Sequence, residues 1–222
     1  MDSLKRNDLL KDWLSRKLKI DFSISSASSD ASFRRYFRVK TVKDTFIVMD
    51  APPENESIEA FVKIGQILST INVNVPDIFE EDNALGFILM QDFGSDTYLD
   101  VLNDDNQQRL YSDSIESLIQ MQKLVKKDLC QSYTQKILFD EMSLFIEWYL
   151  KKYKKIELTN KENEKLLSCF ETISKKALSQ EKFFVHRDYH SRNLMNQKLN
   201  NPGILDFQDA LVGPVTYDLV SL

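Results

Sequence analysis

The sequence predicts an α+β protein with two lobes, a small β-rich lobe at residues 1–92 and a helical lobe at residues 93–222. Two observations support this fold class. Short alternating apolar segments occupy the chain up to Met90, whereas segments of helical periodicity dominate after Gly94. With 222 residues, 42% of them hydrophobic, the chain is long enough to bury a substantial core as one large domain or two lobes.

Composition and charge exclude several classes of protein. A net charge of -5 without a long Lys/Arg block argues against a broad nucleic-acid-binding surface. No run of 18 apolar residues is present, so no membrane span is expected. Cys130 and Cys169 lack metal-ligand spacing and are predicted to be buried free thiols. The N-terminus has no signal-peptide core, and a cytoplasmic protein is expected.

The predicted β-rich lobe begins with a helix and continues with short strands. Leu10, Trp13 and Leu14 fall on one helical face, which predicts a helix packed on the domain. Arg35, Phe37 and Val39 share one face of the first strand. The predicted segments are a flexible run at Ser25–Ser32, strands at Ser32–Lys40, Phe46–Met49, Pro76–Phe79 and Gly86–Met90, a helix at Ser57–Ile71, and turns at Lys43–Asp44 and Glu80–Asn83.

The helical lobe contains three long periodic segments. Apolar spacing predicts helices at Asp104–Lys126, Phe139–Tyr153 and Asn160–Leu178, the last with Ile173 facing inward. A different pattern follows at Phe183–Asp209, which predicts strand, polar loop, strand, turn and strand.

The polar loop carries a motif suited to phosphoryl transfer. His186-Arg187-Asp188 followed by Asn193 fits the H-R-D-x-x-x-x-N catalytic loop, with Asp188 as the base and Asn193 as a metal ligand. Asp206 comes 13 residues after Asn193, behind an apolar strand, where a second metal-binding carboxylate is expected. Hard oxygen ligands of this kind suit Mg²⁺.

The two histidines of the polar loop and the Asp-Phe-Gly sequence at residues 92–94 are not expected to bind metal. We expect His186 to brace the loop, and His190 either to be structural or to lie close to the substrate. Asp92-Phe93-Gly94 spells the metal-binding motif of protein kinases but precedes the catalytic loop, so it is predicted to be the hinge between lobes. The backbone of Met90, Gln91, Asp92 and Phe93 is predicted to hydrogen-bond the adenine of ATP.

On these residues the chain resembles the aminoglycoside phosphotransferase-like kinases, whose loop reads H-x-D-x-x-x-x-N. The resemblance narrows to the branch that phosphorylates amino sugars at the anomeric hydroxyl, the N-acetylmuramate/N-acetylglucosamine kinases of bacterial cell-wall recycling. Four segments carry it: DASFRRYFRV (Asp30–Val39), MDAPPE (Met49–Glu54), VHRDYHSRNLM (Val185–Met195) and GILDFQDALVGPVTYDLVSL (Gly203–Leu222).

The resemblance implies a two-lobed protein-kinase-like fold, with ATP and Mg²⁺ as cofactors and a small amino sugar as substrate. The γ-phosphate of ATP would pass to the sugar's C1 hydroxyl, whose proton Asp188 would accept, while Asn193 and Asp206 would hold Mg²⁺. Asp218 matches an aspartate that hydrogen-bonds the catalytic-loop backbone in related kinases. A carboxylate at a helix N-terminus is the simpler alternative, and the two roles are compatible.

The N-terminal lobe departs from the family pattern in two places. No lysine stands near Met49, where one usually contacts the ATP phosphates. Arg35 is a candidate substitute, and a bulged or edge strand is an equal alternative. Glu59 either pairs with this arginine or is solvated. The loop at Ser28–Ser32 lacks G-x-G-x-x-G, although its small residues and backbone N–H groups could cover phosphate.

The chain also stops at Ser221-Leu222, where related kinases continue into further helices. The helical lobe is therefore expected to be truncated, as a fragment or with an incomplete acceptor pocket. Weak stability and poor sugar turnover are the predicted consequences.

Two other functions remain open. The sequence does not predict the oligomeric state. The first is the same fold acting on an aminoglycoside, choline, homoserine or another sugar; the second is a nucleotide-binding pseudokinase or scaffold. Trp148 and Tyr149 could stack on a sugar, but core positions are favoured. The acidic side chains Asp140, Glu141 and Glu147 could meet a cationic acceptor, but solvation is favoured. The lack of an A-P-E element argues against protein kinase activity.

Overall fold

The computed structural model describes residues 3–28 and 33–222. The chain divides into two compact units. The first comprises residues up to Ser117 together with Ser191–Asp209, and the second comprises Leu118–His190 and Ala210–Leu222. The limits of these compact units differ from the predicted boundary between residues 92 and 93. The division into lobes at that boundary stays a prediction.

Helices and strands are distributed along the chain as the fold class predicts, with most strands first and most helices later. The helices are α1 (Ser3–Leu18), α2 (Glu59–Thr70), α3 (Tyr98–Val101), α4 (Gln107–Leu124), α5 (Gln135–Leu144), a π-helix (Phe145–Tyr153), α6 (Asn160–Leu178) and α7 (Tyr217–Ser221). The strands are β1 (Ser23–Ser28), β2 (Arg35–Lys40), β3 (Thr45–Asp50), β4 (Ile78–Asp82), β5 (Phe87–Gln91), β6 (Lys182–Val185), β7 (Leu194–Met195), β8 (Gly203–Ile204) and β9 (Leu211–Pro214).

A five-stranded antiparallel sheet forms the centre of the first unit, in the order β1-β2-β3-β5-β4. The predicted N-terminal antiparallel sheet is therefore confirmed. The hairpin of β2 and β3 is confirmed too: Lys40 pairs with Thr45 and Arg35 with Asp50.

Two predictions in this lobe are wrong. The Ser-rich segment predicted as flexible at Ser25–Ser32 belongs to β1 as far as Ser28, because pairing with β2 supplies ladder hydrogen bonds that outweigh its weak intrinsic strand propensity. Residues 29–32 of this prediction lie outside the described residues. The turn predicted at Glu80–Asn83 lies later, before Gly86, since β4 extends to Asp82. Gly86 has φ of +70°, and a Cβ there would lie 1.9 Å from the Ala51 oxygen, so glycine is required at this turn.

The core of the first unit lies between α1 and the sheet. As predicted, Leu10, Trp13 and Leu14 of α1 are buried. Their neighbours in the same apolar cluster come from β2, β3 and β5: Val39, Val48, Phe87 and Leu89. On α2, the ring of Phe61 lies 4.7 Å from that of Phe207. This contact fixes the segment that follows β8 within the same unit.

The second unit packs α5 and α6 with the two-stranded ladder of β6 and β9. The helix predicted at Asn160–Leu178 is confirmed. The helix predicted at Phe139–Tyr153 is instead the end of α5 followed by the π-helix. Because hydrogen bonds in a π-helix join residues five apart, the 3.6-residue period no longer determines which side chains share a face.

Several side chains predicted to be buried are exposed. Trp148 is 59% exposed and Tyr149 45%, both on the π-helix, and Ile173 on α6 is exposed as well. The core prediction for these aromatic residues is therefore wrong. Neither cysteine forms a disulfide, but the predicted burial is wrong: Cys130 is only half-buried, and Cys169 is exposed because Phe170 occupies the buried face of α6.

In the described part of the chain, none of the helices combines the length and apolar character that crossing a membrane requires.

Candidate active site

The hairpin of β7 and β8 brings the two predicted metal ligands together within the first unit. Leu194 pairs with Ile204, and the Leu205 N–H donates to the Asn193 oxygen at 2.9 Å. Asn193 and Asp206 therefore leave the ladder at the same end. The Asn193 amide Nδ2 donates to Asp206 Oδ2 at 3.4 Å, a long hydrogen bond.

Gln208 orients the Asp206 carboxylate, a role that was not predicted. The Gln208 amide nitrogen donates to Asp206 Oδ1 at 2.8 Å and to Asp209 Oδ2 at 3.1 Å. Asp206 itself has φ of +62°, a left-handed conformation that aspartate adopts more readily than most residues. The sequence contained one sign of this role: residues 206–208 read Asp-Phe-Gln, with Gln208 at the position of the glycine in D-F-G.

The donor set at Asp206 fits a magnesium ion. Among residues 3–28 and 33–222, no lysine or arginine forms an ion pair with Asp206. Its carboxylate is bound only by the side-chain amides of Asn193 and Gln208 within this part of the chain, and these neutral groups leave its negative charge uncompensated. The Gln208 oxygen is buried and has no hydrogen-bond partner in the described part of the chain. Mg²⁺ commonly binds one or two carboxylates and completes its shell with substrate phosphates and water, which this small set allows.

The catalytic-loop residues lie in the second unit, at the end of β6. The Asp218 carboxylate accepts hydrogen bonds from the backbone N–H groups of His186 at 2.7 Å and Arg187 at 3.0 Å. The Asp188 N–H donates to His186 Nδ1 at 3.3 Å, and the His186 side chain is fully buried. His186 and Asp218 thus hold the backbone around half-buried Asp188; their part in catalysis stays a prediction.

Burial of the Asp218 carboxyl in the first turn of α7 raises its pKa to about 6. The two backbone N–H donors act in the opposite direction, while the charge of Asp188 raises the pKa further. A buried carboxylate that receives two amide hydrogens satisfies donors that the loop would otherwise leave unpaired.

Arg187 is held by side chains that sequence reasoning missed. Its Nε donates to the Tyr133 hydroxyl at 3.0 Å and its Nη2 donates to Glu141 Oε1 at 2.6 Å. Arg187 has φ of +81°, which for an L-residue costs roughly 1–2 kcal/mol. These contacts offset that cost. Because they span about fifty residues of sequence, no local pattern could have identified them.

The acidic side chains Asp140 and Glu141 of α5 and Glu147 of the π-helix were predicted to be solvated, and this prediction is wrong for Glu141. Its side chain is 27% exposed and its ion pair with Arg187 occupies the carboxylate. Asp140 pairs with Lys136 at 2.5 Å and Glu147 with Lys151 at 2.6 Å, and both pairs are exposed. A cationic acceptor would therefore compete with Arg187 at Glu141.

Arg35, predicted to contact the ATP phosphates, is bound to Asp50. The two residues are directly opposite in the β2–β3 register, and the Arg35 Nε donates to Asp50 Oδ2 at 3.1 Å. Arg6 from α1 binds the other carboxylate oxygen at 2.7 Å. Glu59, the suggested partner, is exposed. The predicted ATP contact of Arg35 stays a prediction.

The predicted hinge is a structured segment of the first unit. Arg38 binds the Asp92 carboxylate through two hydrogen bonds, at 2.7 Å and 3.0 Å. The Gln91 N–H donates to the Asp77 oxygen at 2.9 Å, and the Phe93 oxygen accepts from the Gln197 amide at 2.8 Å. Asp92 thus has a structural partner, and the adenine contact predicted for Met90–Phe93 stays a prediction. Of the predicted phosphate loop Ser28–Ser32, residues 29–32 lie outside the described residues.

Curated relatives with the same name match most of the chain. It is 44% identical over 200 residues to the N-acetylmuramate/N-acetylglucosamine kinase of Pseudomonas putida, covering 90% of this chain and 59% of that protein. The kinase of the same name from Neisseria meningitidis is 36% identical over 225 residues, covering 99% and 66%. The chain thus spans about 59% to 66% of the length of these relatives.

Solved structures share the fold at low sequence identity. The ADP-bound aminoglycoside phosphotransferase APH(2'')-Ib matches with a TM-score of 0.71 at 17% identity, covering 99% of this chain and 75% of that one. The choline kinase LicA from Streptococcus pneumoniae matches with a TM-score of 0.71 at 14% identity, covering 97% and 73%. The predicted kinase-like fold class is confirmed.

A family model described as the phosphotransferase enzyme family matches residues 23–222. This span includes the catalytic-loop motif and both predicted metal ligands. The chain belongs to the phosphotransferase enzyme family.

Proposed function

We propose that this chain carries the catalytic residues of an ATP-dependent kinase that phosphorylates the anomeric hydroxyl of N-acetylmuramate or N-acetylglucosamine. The observation that supports it most is the 44% identity over 200 residues to a kinase of that name. Asp188, Asn193 and Asp206 all lie within residues 23–222, which match the family model. The uncompensated Asp206 carboxylate beside Asn193 supports a metal-dependent reaction.

Asp188 acts as the general base in this proposal. The C1 hydroxyl oxygen of the sugar attacks the γ-phosphorus of ATP while its proton passes to the Asp188 carboxylate. The bond between the γ-phosphorus and the bridging oxygen breaks, so that the products are the sugar 1-phosphate and ADP. Asn193 and Asp206 would hold Mg²⁺, which when bound neutralises charge on the phosphates.

Product analysis with a small panel of sugars tests the proposal. The chain is incubated with ATP, Mg²⁺ and N-acetylmuramate, N-acetylglucosamine or glucose; mass spectrometry detects the sugar phosphate and phosphorus NMR identifies its position. We expect 1-phosphates of the amino sugars. Asp188→Asn should lower the rate by about 10²-fold or more, with unfolding curves showing that it remains folded. Loss of ATP that needs no sugar, or that Asp188→Asn leaves unchanged, contradicts the proposal.

A second candidate is nucleotide binding without phosphoryl transfer. One observation favours it: Arg35 is occupied by Asp50, and no lysine stands near Met49. Calorimetric titration with ATP and Mg²⁺ distinguishes the two candidates, because tight binding without any phosphorylated product among amino sugars, aminoglycosides and choline supports the scaffold.

A further inference from the structure

We propose that Glu141 is a positioning residue for Asp188, acting through Arg187 and Tyr217. Its catalytic consequence rests on the proposed function, whereas its effect on the loop does not. We call Glu141, Tyr133, Arg187 and Tyr217 the Glu141 cluster. All four lie in the second unit.

The first half of the Glu141 cluster holds the residue that precedes Asp188. Glu141 Oε1 accepts hydrogen bonds from Arg187 Nη2 at 2.6 Å and from the Tyr133 hydroxyl at 2.9 Å. The Tyr133 hydroxyl in turn accepts from Arg187 Nε, so two groups bind the Nε/Nη2 edge of the planar guanidinium. This side chain therefore cannot swing away without breaking both hydrogen bonds.

The second half of the Glu141 cluster reaches the helix that carries Asp218. The Tyr217 hydroxyl donates to Glu141 Oε2 at 3.4 Å, and the rings of Tyr133 and Tyr217 lie 5.3 Å apart. Asp218, the next residue, binds the backbone N–H groups of His186 and Arg187. One carboxylate on α5 thus contacts both segments whose hydrogen bonds shape the loop at Asp188.

Backbone conformation explains why the loop needs this support. Arg187 has a left-handed φ of +81°, which is unfavourable for a residue with a Cβ. Rotation of Arg187 toward an ordinary conformation would change the direction of the chain at Asp188 directly. The side-chain contacts of Arg187 oppose that rotation, since the guanidinium and the backbone N–H are bound on different partners.

The fold makes space for the Glu141 cluster. A Cβ at Gly213 on β9 would lie 2.5 Å from Tyr133 Cδ2, so the ring position depends on the missing side chain. Burial raises the pKa of the Tyr133 phenol, and its contacts with Tyr217 and Glu141 raise it further, so it remains a hydrogen-bond donor. Burial likewise raises the pKa of the Tyr217 phenol.

Glu141→Gln tests the proposal because it keeps the shape of the side chain and removes its charge. In steady-state kinetics we expect kcat for sugar phosphate formation to fall about tenfold to a hundredfold, the range expected for a displaced catalytic group, with both KM values within about twofold of the original. Glu147→Gln is the matched control: it makes the same chemical change in an exposed pair and should alter neither constant.

Amide hydrogen exchange supplies a readout independent of turnover. In Glu141→Gln the N–H groups of His186 and Arg187, which donate to Asp218, should exchange about tenfold faster or more, while amides in the first unit are unchanged. Tyr133→Phe removes one hydroxyl and keeps the ring on Gly213. This variant should accelerate the same two amides and serves as the test if Glu141→Gln does not fold.

The outcomes separate the two claims. If the original chain forms no sugar phosphate, the proposed function fails, and exchange at His186 and Arg187 still decides the role of Glu141. Unchanged exchange and unchanged kcat in Glu141→Gln overturn the positioning role. A lower rate that matches only a smaller folded fraction, with normal exchange in the folded molecules, also overturns it.

Discussion

Asp50 and Glu141 each bind arginine through one carboxylate, but they differ in burial and in what they hold. The Asp50 side chain is 0% exposed and joins Arg6 of α1 to Arg35 of β2 within the first unit. The Glu141 side chain is 27% exposed and joins α5 to Arg187 in the second unit. The buried pair connects regular elements of a core, whereas the half-exposed pair supports a loop with an unfavourable backbone conformation.

The difference follows from the cost of removing charge from water. Arg6 is 5% exposed, and its guanidinium also donates to the Leu85 oxygen and lies 4.4 Å from the centre of the Phe87 ring. Without Asp50 this charge would stay buried and uncompensated, the situation that makes buried pairs costly to break. Arg187 is 28% exposed, so water can partly replace Glu141. We therefore expect Asp50 to control stability and Glu141 to control local geometry.

The largest expected effect is that of Asp50→Ala. Loss of the buried carboxylate should lower the free energy of unfolding by about 3–5 kcal/mol, because Arg6 and Arg35 then repel each other without a counter-charge. Urea denaturation followed by circular dichroism measures the change. Asp44→Ala in the exposed turn between β2 and β3 is the control and should cost little. A cost for Asp50→Ala no larger than that of Asp44→Ala would remove the distinction between the two carboxylates.

Burial of a third carboxylate, Asp218, should make the free energy of unfolding depend on pH. Its pKa is raised from 3.8 to about 6, so the carboxyl binds its proton more tightly in the folded chain than in the unfolded chain. The stability that this contributes is present below about pH 4 and is lost as the pH rises through about 6. The shift corresponds to about 3 kcal/mol, from roughly 1.4 kcal/mol for each pKa unit.

Unfolding of the original chain and of Asp218→Asn at pH 4 and pH 7 measures this window. The stability advantage of the original chain should shrink by about 2.4 kcal/mol between the two pH values, because the unfolded carboxyl is already more than half ionised at pH 4. Asp188→Asn should move the window toward lower pH, since the charge of Asp188 raises the pKa of Asp218. A difference that stays constant with pH would contradict the assigned burial.

Glu141→Ala should have a smaller effect on stability than Asp50→Ala. We expect about 1.5–3 kcal/mol, the range for hydrogen bonds to charged groups, because the remaining Arg187 is partly solvated. Thermal and urea unfolding of Asp140→Ala, the adjacent exposed carboxylate, supply the baseline. If Glu141→Ala destabilises the chain as much as Asp50→Ala does, solvent exposure does not determine how much each ion pair contributes to stability.

Glu147→Gln should have the smallest effect. Glu147 and Lys151 are both largely exposed, and a pair four residues apart on a helix surface is screened by water and salt. The urea midpoint should equal that of the original chain at both low and high salt. A clear loss of stability at low salt would show that the π-helix depends on this pair.

Local patterns predicted those features that depend on neighbouring residues. Alternation and helical period identified the N-terminal sheet, the face of α1 and the bounds of α6, because burial of a strand or helix face selects apolar residues at a fixed interval. Prediction failed at β1, whose pairing partner stabilises a Ser-rich segment, and at Trp148, where the helix changes its hydrogen-bond pattern.

Part of the site could also be predicted. The apolar strand between Asn193 and Asp206 indicated that these two residues end neighbouring strands, and the β7–β8 hairpin brings Asn193 to Asp206. The partner of Arg35 was within reach as well: the hairpin register places Asp50 opposite it. Glu141 was not, since 46 residues separate it from Arg187 and no periodicity links them.

The sequence by itself determined the fold class, the family and the order of the phosphoryl-transfer motif, since these depend on residue type and spacing along the chain. Only the tertiary structure decided which charge meets which: Asp50 with two arginines, Glu141 with Arg187, and Asp218 with the catalytic-loop backbone. Charged side chains carry no preference for one distant partner over another until packing removes water and fixes their separation.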